Sequence, residues 1–154
     1  PGHAISFEAN VPVLLAWDPL EERHTSTYID DPAWQRSITM AGEAGVSALA
    51  AQPWSPDRWG DLLLASRTFA TASGMLEEEE RARIRRHTLE AVQDGGWQAS
   101  MAVRLCMLGS SVVVLPRTLD DGIALEELEH LAERIRQRGF ACLITSISPI
   151  SHLD

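Results

Sequence analysis

The sequence predicts an α+β fold that is predominantly helical, with about five helices and a small sheet that includes a C-terminal βαβ unit. Two observations predict this class: the middle of the chain repeats apolar residues at helical spacing, and the last third alternates strand-like and helix-like segments. The length of 154 residues and the hydrophobic fraction of 45% are typical of one globular domain, which we assign to residues 1–154. The opening Pro1-Gly2-His3 is consistent with a cloning remnant and carries no weight.

The first predicted elements are a strand and a helix. The apolar run Val13–Ala16 ends at a turn signal and predicts a strand. Asp31 as the N-cap and Pro32 at the first helical position predict a helix that continues to about Ala44. Two glycines near that end disfavour its continuation, so we expect only a looser or second helical turn at Val46–Ala51.

The stretch AAQPWSPDRWGD holds two of the five tryptophans and predicts the start of another helix. Ser55 is a favourable N-cap, Pro56 suits the first helical position, and Asp57 places negative charge in the first turn. This alignment makes Trp54 and Trp59 the two residues that touch in a hydrophobic staple. The alternative is a surface on which one of the two indoles also contacts a partner.

Charged residues dominate the next predicted helix, MLEEEERARIRRHTLEAVQ. Glu77 with Arg81, and Glu79 with Arg83, have the favourable i,i+4 order for ion pairs. A solvated helix face explains these charges, and an arginine patch for an anionic ligand is the alternative. After a turn at Asp94-Gly95-Gly96, the strongly apolar segment from Trp97 to Leu108 is predicted to be a further helix at the centre of the core.

The last third predicts the βαβ unit. SVVVLP and ACLITSI are apolar, β-branched strand candidates, and DDGIALEELEHLAERIRQRGF between them has an amphipathic helical pattern. Gly139 fits the position after the helix, where a Schellman stop would bring Phe140 onto Ile135. We expect the two strands to be parallel, either as neighbours or separated by one strand, with a right-handed crossover.

Charge and composition narrow the class of protein. A net charge of −9 and a pI near 4.9 argue against a nucleic-acid binder. All 13 basic side chains are arginine, which is typical of a GC-rich bacterial genome. No apolar run reaches the roughly 18 to 20 residues of a membrane span, and the N-terminus lacks a signal-peptide layout. Cys106 and Cys142 lie among apolar neighbours and are expected to be buried free thiols. These observations predict a cytoplasmic protein without nucleic-acid or membrane contacts.

Sequence motifs for the common enzyme classes are absent. No G-x-G-x-x-G, P-loop, G-x-S-x-G, H-E-x-x-H or C-x-x-C occurs, so we assign no catalytic residue, cofactor or metal, and the balance leans against an enzyme. The strongest catalytic constellation is one polar loop, RHTSTYIDD, with His24, Tyr28, Asp30 and Asp31. Helix capping by Asp31 and solvation of His24 explain the same residues.

The function favoured by this pattern is a non-enzymatic protein–protein interaction module: an adaptor, assembly factor or immunity protein that binds one protein partner. Interface cores favour tryptophan and arginine, and an acidic surface speeds association with a basic partner. The oligomeric state stays open. The candidate anchors are Trp17, Trp34, Trp54 and Trp59, with Glu77, Glu78, Glu79 and Glu80 as a charged rim.

Two alternatives remain. One is a small α/β enzyme or ligand-binding domain with a pocket at the strand ends, where Arg117, Asp120 and Asp121 follow the first C-terminal strand. Helix capping is the simpler explanation of the two aspartates. The other is a regulatory helical subunit that is unstable outside a larger complex.

Overall fold

Four strands and four α-helices make up the described part of the structure, a computed structural model that describes residues 9–20, 30–106 and 109–147. Two short 3₁₀ turns, Pro56–Arg58 and Met75–Glu77, precede the second and third helices. The strands are β1 Val11–Trp17, β2 Met101–Leu105, β3 Ser111–Pro116 and β4 Ala141–Ile147. The helices are α1 Pro32–Ala50, α2 Trp59–Ala72, α3 Glu79–Asp94 and α4 Leu125–Gln137.

The strands form one sheet in the order β2-β3-β1-β4, and every hydrogen-bonded pair is antiparallel. In the register, Leu14 of β1 lies opposite Val114 of β3 on one side and Ile144 of β4 on the other. Because β3 and β4 are both antiparallel to β1, they run in the same direction with β1 between them. By the same reasoning, β1 and β2 are parallel with β3 between them. Two split β-α-β units in this order give the ferredoxin-like topology, with three helices in the first crossover.

The predicted α+β class is therefore confirmed, but two of its details are not matched exactly. The strand, helix and strand of the C-terminal unit are present and its two strands are parallel, but of the two expected arrangements only the one with an intervening strand is found, because β1 lies between them. The described residues contain four α-helices rather than about five. The missing helix is the one predicted from Trp97 to Leu108.

That segment contains β2 instead of a helix. Met101, Val103 and Leu105 alternate with Ala102 and Arg104 across the two faces of the sheet, and all five pair with β3. A short apolar run cannot be assigned to a helix or a strand by periodicity alone, so the partner strand decides. Leu108 lies outside the described residues.

Helix α1 is longer than predicted because its glycines do not interrupt it. It runs without a break through the segment predicted as a looser turn. A Cβ atom on Gly42 would lie 3.9 Å from Cε2 of Phe69, which shows how closely this side of α1 approaches α2. Ala41 is the only buried residue among the 19 of α1.

The two faces of the sheet are covered differently. Helices α3 and α4 pack on one face and enclose the main core. On the other face, Trp59 and Leu63 of α2 pack against Ala102 of β2. Helix α1 packs extensively on α2 alone, so the antiparallel α1–α2 hairpin is attached to the sheet through α2.

The predicted stop of α4 is confirmed by its hydrogen bonds. Gly139 has φ of 87°, the left-handed conformation that glycine adopts most readily. Its N–H donates to the carbonyl of Arg136 at 2.9 Å, and the N–H of Phe140 donates to the carbonyl of Ile135 at 3.4 Å. These two bonds define a Schellman motif, which directs the chain from α4 into β4.

Candidate interaction surface

The four candidate tryptophans do not form one patch. Trp17, at the end of β1, is 39% exposed, whereas Trp59 is 3% exposed. Trp34 and Trp54 are half-buried and lie just inside the start and just beyond the end of α1. Because a helix of 19 residues is about 28 Å long, these two indoles belong to opposite ends of the hairpin.

Trp59 fixes α2 to the sheet. Its indole Nε1 donates a hydrogen bond of 2.8 Å to the carbonyl oxygen of Pro116, 57 residues away. The side chain is buried with Leu63 and Ala102, so it is not exposed to a partner. The predicted helical start at Ser55 is confirmed in position, but the first turn is 3₁₀ and the Ser55 side chain makes no capping bond.

Arg58 ties the end of α1 to the start of α2. Its Nη1 lies 2.9 Å from the carbonyl oxygen of Leu49 and 2.6 Å from that of Gln52. Its Nε lies 3.0 Å from Oδ2 of Asp61. A guanidinium at a helix C-terminus satisfies carbonyls that have no intrahelical partner and interacts favourably with the helix dipole. These contacts of Arg58 hold α1 and α2 together as a hairpin.

The predicted glutamate–arginine pairs of α3 are replaced by others. Helix α3 begins only at Glu79, so Glu77 lies in the preceding 3₁₀ turn, and Arg81 pairs with Glu78, Nε to Oε2, at 2.7 Å. Arg83 reaches across to the buried Asp18, just after β1. Glu77 and Glu79 are exposed, and Glu78 and Glu80 are half-buried.

An open groove lies between α1 and α2 on one side of the hairpin, with a volume of about 430 Å³. Its α1 wall consists mainly of small side chains at helical spacing, and its α2 wall carries Leu64, Thr68 and Phe69. Leu64 is 61% exposed. The lining residues of this outer groove are Ala41, Ala44, Gly45, Ala48, Leu49, Ala51, Gln52, Arg58, Asp61, Leu64, Ala65, Thr68, Phe69 and Ala72.

A second cleft, of about 330 Å³, lies on the opposite side of the same helix pair. Met75, Leu105 and Cys106 line this inner cleft together with both helices. Burial raises the pKa of the Cys106 thiol, and a hydrogen bond with Ser111 partly offsets that effect. Ala41, Gly45, Leu49, Ala65 and Phe69 line both clefts, so α1 rests on α2 along a narrow ridge.

The hairpin is electrically neutral in an acidic chain. Between residues 32 and 72 there are three acidic and three basic side chains, so the net charge of −9 comes from the rest of the chain. The six charged residues are Arg36, Glu43, Asp57, Arg58, Asp61 and Arg67. Two exposed apolar side chains, Met40 at 71% and Val46 at 63%, add to the surface of α1. This low charge and high content of small residues are the sequence signal that the tryptophan-based prediction missed.

The residues of the alternative strand-end pocket lie in an exposed loop after β3. Nε of Arg117 donates to the carbonyl of Gln98 at 2.8 Å, and Oδ2 of Asp121 accepts from Oγ1 of Thr118 at 3.0 Å. Arg117, Asp120 and Asp121 line neither of the two clefts. The aspartates also do not cap α4, whose N-cap is Ala124.

The polar loop predicted as a catalytic constellation is only partly described. His24 and Tyr28 lie outside the described residues. Asp31 caps α1, as predicted, and its Oδ1 accepts from the N–H of Ala33 at 2.7 Å. Within residues 9–20, 30–106 and 109–147, no three His, Cys, Asp or Glu side chains are close enough together to hold a metal ion.

Across those same ranges, no helix is both long and apolar enough to span a bilayer. Neither a comparison with protein-family models nor one with curated proteins finds a match to the chain.

Proposed function

We propose that this chain is a non-enzymatic protein–protein interaction module of a bacterial cytoplasm, of the adaptor, assembly-factor or immunity type, which binds one protein partner through the outer groove. The observation that carries the proposal is helix α1. It is 19 residues long and rich in apolar side chains, yet it buries only Ala41 and packs on a single neighbouring helix. Soluble monomers rarely expose a contiguous apolar surface of this kind unless it binds something.

The occupant that fits the outer groove is an amphipathic helix of the partner. On α1 the lining positions are 41, 44, 45, 48 and 49, and on α2 they are 61, 64, 65, 68, 69 and 72. Both sets follow the three- and four-residue spacing of one helical face. A groove about three turns long between two antiparallel helices is the place where a third helix packs ridge into groove. The alanines and Gly45 on α1 allow its backbone to approach closely.

The chemistry of the groove favours an apolar contact. The Arg58–Asp61 pair lies at one end, and these are the only charged residues in the lining. The buried part of the interface therefore does not depend on charge. The acidic remainder of the chain increases the rate of encounter with a basic partner, and this effect weakens as salt rises.

Site-specific crosslinking in the full chain tests the proposal. A photoreactive p-benzoylphenylalanine at position 64, activated in host lysate, is expected to form one main adduct. The crosslinked peptide is expected to carry apolar residues at positions i, i+3, i+4 and i+7. The matched control is position 125 on α4, because Leu125 is 56% exposed and Leu64 is 61% exposed. That position is expected to give no adduct with the same protein.

Affinity measurements with the purified partner then show whether the crosslinked contact at position 64 is specific. The purified partner is expected to bind Leu64→Glu at least tenfold more weakly than the wild type and to bind Leu125→Glu with unchanged affinity. Equal effects of the two substitutions, adducts spread over many proteins, or crosslinks only to a second copy of the chain would each refute the proposal. The strand-end pocket has weaker support, because its three residues line neither cleft.

A further inference from the structure

Strand β4 forms an edge of the sheet that carries neither a charge nor a proline. Within the described residues its only strand partner is β1, and the two strands pair in a continuous register without a bulge. All seven residues, ACLITSI, are uncharged. Natural sheets prevent edge-to-edge association with charged side chains, prolines or bulges on their edge strands. The opposite edge follows this rule, because β2 carries Arg104, whereas the edge of β4 is open to a further strand.

The backbone of β4 alternates between β1 and this open edge. The N–H of Asp18 donates to the carbonyl of Ser110 at 3.2 Å, and in an antiparallel pair the hydrogen-bonded positions recur at every second residue. Even-numbered residues of β1 therefore bond to β3, and its odd-numbered residues bond to the odd-numbered residues of β4. The backbone groups of Cys142 and Ile144 consequently face outward, where they can bond to a strand laid alongside.

Exposed apolar side chains accompany the edge on the face of the sheet away from α3 and α4. Leu143 is 54% exposed, and Trp17, two positions along β1 from the cross-strand neighbour Leu15, is 39% exposed. Cys142 and Ile144 point to the other face and pack against the main core. Neither Trp17 nor Leu143 lines the outer groove, so the proposed function does not account for their exposure.

Helix α4 overhangs the same edge. It packs on β4 and β1, whereas α3 packs on β2 and β3. Sγ of Cys142 lies 3.5 Å from the carbonyl oxygen of Ala132, and Arg138 forms an ion pair of 2.6 Å with Asp94 at the end of α3. The side of α4 that carries position 138 therefore faces α3, and the opposite side faces outward beyond β4.

That outer side of α4 carries exposed charges of both signs. Glu129 and Arg136 lie about 180° around the helix axis from position 138 and about two turns from each other. Neither forms an ion pair with another residue of the described ranges. Glu133, between them, accepts a hydrogen bond from Nε2 of Gln137 at 3.1 Å. The helix dipole favours Arg136 in the last turn, but it does not explain Glu129, which lies beyond the first turn.

We propose that the free edge of β4 is a dimer interface, at which β4 pairs antiparallel with β4 of a second copy of the chain about a two-fold axis. This pairing joins two four-stranded sheets into one and places the two α4 helices side by side in opposite directions. Arg136 of each copy then lies toward Glu129 of the other. A two-fold interface requires such a self-complementary surface, whereas a partner of another sequence does not. The interface is separate from the outer groove and does not rest on the proposed function.

Charge reversal in the full chain tests this arrangement by sedimentation equilibrium. The wild type is expected to be a dimer at micromolar concentration. Glu129→Arg and Arg136→Glu each place like charges opposite one another across the axis, so each variant alone is expected to dimerise at least tenfold more weakly. An equimolar mixture of the two is expected to form a heterodimer of near wild-type affinity, because every reversed charge then meets an opposite one.

The matched controls are Arg36→Glu and Glu43→Arg, because these exposed residues are also seven positions apart, on α1. Both are expected to dimerise like the wild type. Melting temperatures verify that all four variants are folded. A wild type that is monomeric at hundred-micromolar concentration, equal effects of the α1 and α4 reversals, or a mixture that does not restore the dimer would each overturn the proposal.

A lysine on the edge tests the strand pairing itself. Leu143→Lys introduces the charge that β4 lacks and is expected to weaken the dimer at least tenfold. Leu64→Lys, at a side chain that is 61% exposed in the outer groove, is expected to leave the dimer unchanged. If Leu64→Lys separates the copies and Leu143→Lys does not, the second copy occupies the outer groove and the β4 interface is wrong.

Discussion

At the scale of single residues, the fully buried Arg81 needs a nearby opposite charge, because its guanidinium is removed from water. A guanidinium with no solvent access depends on its ion pair with Glu78, whose side chain is itself only 16% exposed. Removing one partner of a buried pair leaves an uncompensated charge in a region of low dielectric constant. The free energy of unfolding therefore depends on Glu78 far more than on its neighbours in the glutamate run.

We expect Glu78→Gln to lower the free energy of unfolding by about 3 kcal/mol, the typical effect of breaking a buried ion pair. The control is Glu79→Gln, because Glu79 is the adjacent exposed residue, and the expected change there is within about 0.5 kcal/mol. Urea denaturation followed by circular dichroism measures both. Similar values for the two variants would show that Glu78 does not stabilise the buried guanidinium.

Residues whose roles are local were predictable, and residues whose roles are tertiary were not. Asp31 caps α1 through N–H groups two and three positions ahead, a relation that the sequence displays directly. The hydrogen bond from Nε1 of Trp59 to the carbonyl oxygen of Pro116 joins residues 57 positions apart and had no local signal. Arg58 was missed because its carbonyl partners are identified only after α1 and α2 have folded back on each other.

At the scale of elements, two glycines differ in what a substitution would change: helix propensity at Gly45 and side-chain packing at Gly95. Gly45 lies within α1, and a Cβ atom there would meet nothing within 4 Å. Gly95 lies at the end of α3 with φ of −85°, which any residue adopts, but a Cβ atom would come within 2.2 Å of the Trp97 ring. The first glycine reduces the stability of its helix, and the second makes room for an indole.

We therefore expect opposite effects from the same substitution. Gly45→Ala should raise the free energy of unfolding by about 0.5–1 kcal/mol, because alanine has the higher helix propensity. Gly95→Ala should lower it by about 1–3 kcal/mol, because the Trp97 ring must move. Thermal and urea unfolding of both variants check the signs. Destabilisation by Gly45→Ala would mean that the α1–α2 ridge is more tightly packed than the structure shows.

The elements that the sequence predicted best have a clear amphipathic period. Helix α4 buries Leu128, Leu131, Ala132 and Ile135, four of the five residues that define its apolar face in the sequence, whereas the fifth, Leu125, is exposed. The segment that contains β2 has no such contrast, because Met101, Ala102 and Val103 are all buried. When both faces of a strand are covered, the alternation of polar and apolar residues disappears and with it the local signal.

At the scale of the whole molecule, buried apolar contacts are unevenly distributed among the elements. The sheet and helices α3 and α4 share one core, whereas α1 has one buried residue and one packing neighbour. Regions with few buried apolar contacts open without unfolding the rest. The binding surface that we propose therefore includes the α-helix with the fewest buried residues among the four described, as expected for a segment that gains packing from a partner.

Native-state hydrogen exchange can measure this difference. We expect amides near Ala41 in α1 to exchange through local opening, at a free energy well below that of global unfolding. Amides of Leu14 and Val114 in the central strands should exchange only with global unfolding. Low concentrations of denaturant should accelerate exchange in the strands and leave exchange in α1 almost unchanged. Equal protection of α1 and β1 against exchange would contradict the prediction that α1 opens locally.

The whole-molecule features were the least predictable from sequence. The order of the sheet depends on β1 pairing with strands from the far end of the chain, and the outer groove depends on side chains that remain uncovered. Neither has a local signature at Leu64 or Ala48. The sequence shows that residues 32–72 carry no net charge, but only the structure shows that these residues form one hairpin and that the excess of acidic residues lies outside it.

The position of β1 between β3 and β4 also sets the timing of assembly during synthesis. Leu14 pairs with Val114, 100 residues later, and with Ile144, 130 residues later. At ribosomal rates of about 5–20 residues per second, the first of these partners follows roughly 5–20 s after Leu14. The apolar VPVLLAW segment has no strand partner through that interval, while the neutral hairpin is already complete. The nascent chain therefore exposes an unpaired apolar strand while the α1–α2 hairpin that follows it is already folded. A chaperone that prevents aggregation of this chain would have to cover β1.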